Sequence, residues 1–266
     1  MMGNVLAITQ RELRAYFFSP LAYVLYVLFL VVTGVFFNMY FGAYQDWSQR
    51  YISMMQMQQQ FGGMEPLPNY TEVVLLGICN VMTFVMLFII PMLSMRLFSE
   101  EQKMGTIELL FTYPVKDIEV MLGKFLAAAS VFVGMLVLTL LFAILSHKVE
   151  PDQTYFPTVL ASYSGVVLVG LSFLACGMFA SALTENQIVA GLLSFSLLLI
   201  LWMIGFVDEF QPGVFGKICN ELSVYSHFEQ FGKGVIDTGH LAYYVLFIVF
   251  FLFLTLRVLE SHKWRG

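Results

Sequence analysis

The sequence predicts an all-α polytopic membrane protein with six transmembrane helices. Three observations carry this. Of 266 residues, 59% are hydrophobic and only 12% charged, with a mean hydropathy of +0.80, which is more apolar surface than a soluble core could hide. Six apolar runs of about 20 residues recur along the chain, each long enough for a hydrocarbon core roughly 30 Å thick. None carries Asp, Glu, Lys, Arg or His at its middle, where such a residue costs about 2.5 to 3.5 kcal/mol on insertion scales.

Taken in order, residues 4–18 read as an amphipathic helix lying along the membrane surface: Val5, Ile8, Leu13, Tyr16 and Phe17 interleave with Gln10, Arg11, Glu12 and Arg14. Ser19 and Pro20 supply an N-cap and a first-turn proline for span one, residues 21–41. Tyr23, Tyr26, Tyr40, Tyr44 and Trp47 bracket that span as an aromatic belt. A Gln- and Met-rich polar loop over 45–72 leads to span two, residues 73–95, where Pro91 predicts a kink. Residues 96–124 then hold nine of the 31 charged residues. Within them Ser99 and Gln102 fit a capping box, and Met104, Ile107 and Phe111 recur at i, i+3 and i+7. A helix is therefore expected over 99–113, stopped by Pro114. Its apolar stripe suits either lipid headgroups or a soluble partner.

Span three covers 121–145, entered through Gly123-Lys124, and span four covers 159–183. Ala161, Gly165, Ser172, Cys176 and Ala180 lie four or seven apart on span four, giving one face that can approach another helix closely. Thr184 and Gln187 fit a second capping box in a tight turn before span five, residues 188–207. Over 208–240 polar and apolar residues alternate and five glycines interrupt any long span. One or two short helices dipping into the outer leaflet are expected, with protein covering their backbone ends. Span six covers 241–259.

Lys and Arg set the orientation. The N-terminus, the 96–124 connection, the Thr184 turn and the C-terminus hold nine, and the remaining loops four. By the positive-inside rule the first set, with both termini, is cytoplasmic.

Composition also excludes functions. A net charge of −5 and no basic patch give nucleic acid nothing to bind. Cys79, Cys176 and Cys219 fit neither a metal motif nor a disulfide framework, so no metal site is expected. His147, His227, His240 and His262 are isolated, and no Lys-Ser or Lys-Thr follows a phosphate-binding glycine loop. The chain is thus not expected to be an enzyme. The uncharged spans argue against an ion-coupled carrier, because such pumps need intramembrane charge. If transport occurs, its energy must come from a partner acting through 96–124.

Three blocks resemble the permease subunits of type-2 ABC exporters, and within them most closely the gliding-motility type permease. The first is QRELRAYFFSPLAYV, with Glu12, Tyr16, Ser19 and Pro20. The second is IPMLSMRLFSEEQKMGTIELLFTYPV, with Pro91, Arg96, Glu100, Glu101, Gly105, Thr106, Glu108 and Pro114, followed by Gly123-Lys124. The third is LSVYSHFEQFGKGVID, with His227, Phe228, Phe231 and Asp237. The resemblance implies that 4–18 is the connecting helix, with Arg11, Glu12 and Arg14. It implies that 99–113 is a cytoplasmic coupling helix, contacting an ATPase through Glu100, Glu101, Met104, Gly105, Thr106, Ile107, Glu108 and Phe111. It implies that 208–240 is an extracytoplasmic re-entrant segment between helices five and six.

The partners implied are a dimer of ABC ATPase subunits that binds the ATP and Mg, a second permease copy, an optional extracytoplasmic auxiliary subunit, and membrane lipid. The place implied is the bacterial inner membrane. An exporter predicts a cavity lined by spans one, two and five. The alternative is a non-transporting module of an ATPase-driven envelope or gliding-motility machine, with closely apposed permeases and no such cavity.

Overall fold

The computed structural model describes residues 2–58, 70–105, 116–149, 156–211 and 213–263, and the elements within them are helices. Six are long and apolar enough to cross a membrane: Pro20–Met54, Val73–Lys103, Asp117–Lys148, Phe156–Ala182, Gln187–Phe210 and Thr238–Ser261.

Helix α1 (Met2–Phe18) ends at Ser19, whose Oγ accepts from the Leu21 N–H at 3.3 Å and so caps α2 (Pro20–Gln58). The polar loop expected from residue 45 is instead helical as far as Gln58. From Ala43 to Gln58 there is no Gly or Pro, and Gln, Met and Arg are good helix formers, so nothing there stops the helix. A π-helical turn, Thr71–Leu75, leads into α3 (Leu76–Ser94), which contains Pro91 near its end. Next come α4 (Ser99–Lys103), α5 (Asp117–Val149), α6 (Phe156–Ala182) and α7 (Gln187–Met203). A 3₁₀ turn, Ile204–Phe206, opens a run of short helices, α8 (Val207–Phe210), α9 (Val214–Leu222) and α10 (Val224–Gly232). The last helix is α11 (Thr238–Lys263).

Neither capping box forms. The Ser99 hydroxyl donates back to the Met95 carbonyl and the Gln102 amide donates to Ala182 O at 2.8 Å, because both face protein and not solvent. At α7 the cap is Asn186, whose Oδ1 accepts from Ile188 N–H at 2.9 Å, while Thr184 Oγ1 accepts from Asn186 N–H at 3.2 Å.

The centre of the bundle is α6, which packs against α3, α5, α7, α10 and α11. In its membrane window 78% of residues are buried, against 22% for α2 and 17% for both α7 and α11. The small-residue face, Ala161, Gly165, Ser172, Cys176 and Ala180, is buried as expected, and most of the rest of α6 is buried with it. Close approaches are made at Gly165, against Phe231 of α10, at Gly170, against the Phe132 ring of α5, and at Gly177, against Ser94 of α3. The apolar outer faces of α2, α7 and α11 are left for lipid or another membrane chain.

Candidate functional site

Because successive spans reverse direction, α1, the start of α2, the end of α3, α4, the start of α5 and the end of α6 meet at one end of the bundle. Here α1 lies against α5. Thr9 Oγ1 donates to Gly123 O at 3.2 Å, and Ile8 sits so close to Gly123 that an added Cβ there would fall 2.8 Å from Ile8 Cβ. Asn4 Nδ2 donates to Glu119 Oε2 at 3.1 Å, fixing the other end of α1 to the first turn of α5.

At the centre of this junction is Lys124, with a side chain only 3% exposed. Its Nζ lies 2.9 Å from Glu101 Oε1 of α4 and 3.2 Å from Glu12 Oε1 of α1, and 5.5 Å from the centre of the Phe98 ring. Arg11 closes the arrangement from the solvent side, 2.6 Å from Glu12 Oε1 and 3.4 Å from Glu101 Oε1. Two cations and two carboxylates thus alternate, and three elements distant in sequence are tied by charge-assisted bonds in a partly dry setting. A buried ammonium is tolerable only with such partners.

Burial alone would push the Glu12 carboxyl up, but Lys124 and Arg11 outweigh it and hold the group below its ordinary range. A carboxylate with a depressed folded pKa stabilises the fold above its unfolded pKa, and that stability is lost as pH falls through the folded value. Acidification below about pH 4 is expected to lower the thermal midpoint of the wild type more steeply than that of Glu12→Gln, read by unfolding in detergent across the pH series.

Beneath the charges lies a second, uncharged network. Ser181 Oγ, at the end of α6, accepts from the N–H groups of Phe98 (3.0 Å) and Ser99 (3.2 Å) and donates to Met95 O at 2.9 Å. It satisfies the free N–H groups that a helix start leaves, where water does not reach. Ser181→Ala strands both buried donors and is expected to cost about 1 to 3 kcal/mol, seen as a lower thermal midpoint. Tyr16 OH donates to Leu93 O at 3.0 Å, and the Arg96 guanidinium stacks on the Tyr16 ring at 5.0 Å while donating to Ser19 Oγ at 3.3 Å.

Of the helix expected over 99–113, the described residues hold its first part, Ser99–Lys103. After Lys103 comes a turn in which Gly105 takes φ +67°, the left-handed conformation that glycine supplies after a helical segment. Met104 is 61% exposed on that turn and Glu100 half-buried. Thr106, Ile107, Glu108 and Phe111 lie outside the described residues. Glu101, expected to face a partner, is engaged within the chain, and Arg14 is exposed. In the sequence Lys124 marks the lead into span three and follows the second of the three resembling blocks, with no role of its own. Its one signal was its place as a lone cation at the head of an apolar run.

At the far end of the bundle, 208–240 forms the short helices α8 to α10. Phe228 and Phe231 are buried against Gly165 of α6. His227, also buried, places Nδ1 3.1 Å from Ser223 O and stacks on Tyr243 at 3.8 Å, with His240 at 4.9 Å. Burial and His240 together push its pKa down, against a weaker upward pull from Glu221. Asp237 Oδ1 accepts from Gly239 N–H at 2.8 Å beside the start of α11. These are contacts of a packed element. Among the described residues no group of three or more His, Cys, Asp or Glu could hold a metal ion.

Between the two ends, α2, α3 and α7 enclose a groove of 510 Å³ on the membrane-facing side. Leu28 and Phe36 line it from α2, Phe84 and Phe88 from α3, and Trp202 from α7. Its polar lining is the pair Asn80 and Tyr225, joined by a 3.3 Å hydrogen bond from Tyr225 OH to Asn80 Oδ1.

Residues 6–216 match the family model described as ABC-2 family transporter protein. No curated protein is significantly similar to the chain.

Proposed function

The chain belongs to the ABC-2 transporter family, as the match over most of its length shows, and from that premise we propose that it is the permease subunit of an ABC exporter of the bacterial inner membrane. The gliding-motility type is the subtype we infer, on the three blocks quoted above. The exporter reading over a purely mechanical module rests on one observation. The groove is bounded by α2, α3 and α7, which are spans one, two and five, where a lateral pathway is required and a closed module has no use for space.

In this reading the junction end is cytoplasmic and meets a dimer of ATPase subunits, which hold ATP and Mg. Closure of that dimer pushes on α4 and on the chain that follows it. Because Glu101 is bonded to Lys124, and Lys124 to Glu12, the push reaches α5 and α1 directly and not only along the backbone through Pro114. Glu100, Met104, Gly105, Thr106, Ile107, Glu108 and Phe111 remain the proposed contact surface, with Arg11, Glu12 and Arg14 behind it. A second permease covers the exposed faces of α2 and α7 and turns the groove into a shared pathway. A lining without Asp, Glu, Lys, Arg or His favours cargo that presents an apolar chain.

The test is the complex with its ATPase in liposomes, with turnover measured before and after addition of a total lipid extract of the source membrane. Val81→Trp, which fills the groove, is expected to abolish the ratio of stimulated to unstimulated turnover. An unchanged ratio, or no stimulation of the wild type, removes the exporter reading.

A further inference from the structure

Beside the charge cluster, where α1 turns into α2, lies a separate recess of 290 Å³. One wall is Tyr16, Phe18 and Ser19, and the other is Arg96, Leu97 and Glu100. Glu12 also borders it, but its carboxylate is committed to Lys124 and Arg11.

Two charged groups in the recess have no ion-pair partner among the described residues. Arg96 uses its guanidinium on the Tyr16 ring and the Ser19 hydroxyl, and it pairs with no carboxylate among the described residues. A guanidinium has five N–H donors in a fork suited to phosphate oxygens. Glu100 likewise has no cation paired with its side chain among the described residues, although it lies across the same recess. The cavity therefore presents one positive and one negative group to whatever enters it. Ser19 Oγ accepts from Arg96 and Leu21 N–H and still has its own proton to donate. Phe18, 88% exposed, borders the recess beside the first turn of span one, and aromatic side chains at the end of a span favour the membrane interface.

We propose that this recess seats the headgroup of a zwitterionic, amine-bearing phospholipid. The phosphate sits on Arg96 and Ser19, the ammonium faces Glu100, and the chains leave past Phe18. A free anion fits less well, since Glu100 and Glu12 would repel it. A bare cation fits less well because of Arg96. The site lies between α1 and α4, so a seated lipid would be part of the wall on which a push against α4 acts.

The experiment is native mass spectrometry of the delipidated full-length chain with added phosphatidylethanolamine or phosphatidylglycerol of identical chains. The wild type is expected to retain the ethanolamine lipid about tenfold better, the discrimination expected of one charge-assisted contact. Arg96→Gln should lose retention of both lipids. Glu100→Gln should erase the preference while keeping retention. Arg96→Lys, which keeps the charge and loses the fork, should retain the ethanolamine lipid more weakly than the wild type, and it serves if Arg96→Gln does not fold. Soluble glycerophosphoethanolamine should not displace the lipid, because it lacks the chains that pass Phe18. Equal retention of the two lipids by the wild type, or retention unaffected by either Arg96 variant, overturns the proposal. So does a recess that excludes lipid and becomes protected only when an ATPase subunit is added. These readouts use the permease alone, so they fail independently of the exporter reading.

Discussion

Lys124→Met is expected to loosen the junction by about 3 to 5 kcal/mol, the usual cost of removing one partner from a buried ion pair. The variant leaves Glu12 and Glu101 facing each other across the exposed Arg11. In detergent its thermal midpoint should fall, and in co-expression the ATPase subunit should no longer purify with it. Adding Glu101→Gln should recover part of the loss, since the repulsion between the carboxylates is removed while the missing cation stays missing. That non-additivity identifies the cluster as a unit. A Lys124→Met chain with the midpoint and the partner of the wild type would show that the junction is held by packing alone.

Gly177→Leu is expected to prevent assembly of the bundle. A Cβ at Gly177 would lie 2.8 Å from Ser94 Cβ of α3 and 3.0 Å from Ser194 Oγ of α7, and a Cβ can move only with its backbone. Alanine should already cost about 1 to 3 kcal/mol, and leucine should leave no monodisperse protein on size exclusion. Gly42 is the control: nothing lies within 4 Å of an added Cβ there, and it sits inside α2. Gly42→Ala should stabilise by about 0.5 to 1 kcal/mol. Equal tolerance at the two sites would mean that α6 is not the tightly enclosed centre described above.

Six spans and the Ser19–Pro20 corner are legible in the sequence because they depend on local composition and on one cap, and both act within a few residues. The partners of a helix are less legible. Ala161, Gly165, Ser172, Cys176 and Ala180 suggest one face, yet α6 touches neighbours all round, so Gly170 and Gly177 make contacts that a stripe cannot rank. The short polar signals misled for a related reason. Ser99 and Gln102 have the spacing of a capping box, but Met95 O and Ala182 O are nearer acceptors once the chain is folded. Gly105 falls within an amphipathic pattern, yet it takes a left-handed turn directly after Lys103, which apolar spacing does not foretell. The charge cluster was the least legible feature. Glu12 and Lys124 are 112 positions apart, and Arg11 and Glu101 are 90 apart, so no spacing rule links them.

The account depends on α4 and the turn after it being the place where a nucleotide-driven partner takes hold. A photo-crosslinking amino acid at Met104, which is exposed on that turn, tests this in intact cells co-expressing the ATPase subunit. The expected result is an adduct between the permease and the ATPase. Adducts confined to lipid, or to a protein on the outer side of the membrane, would contradict it.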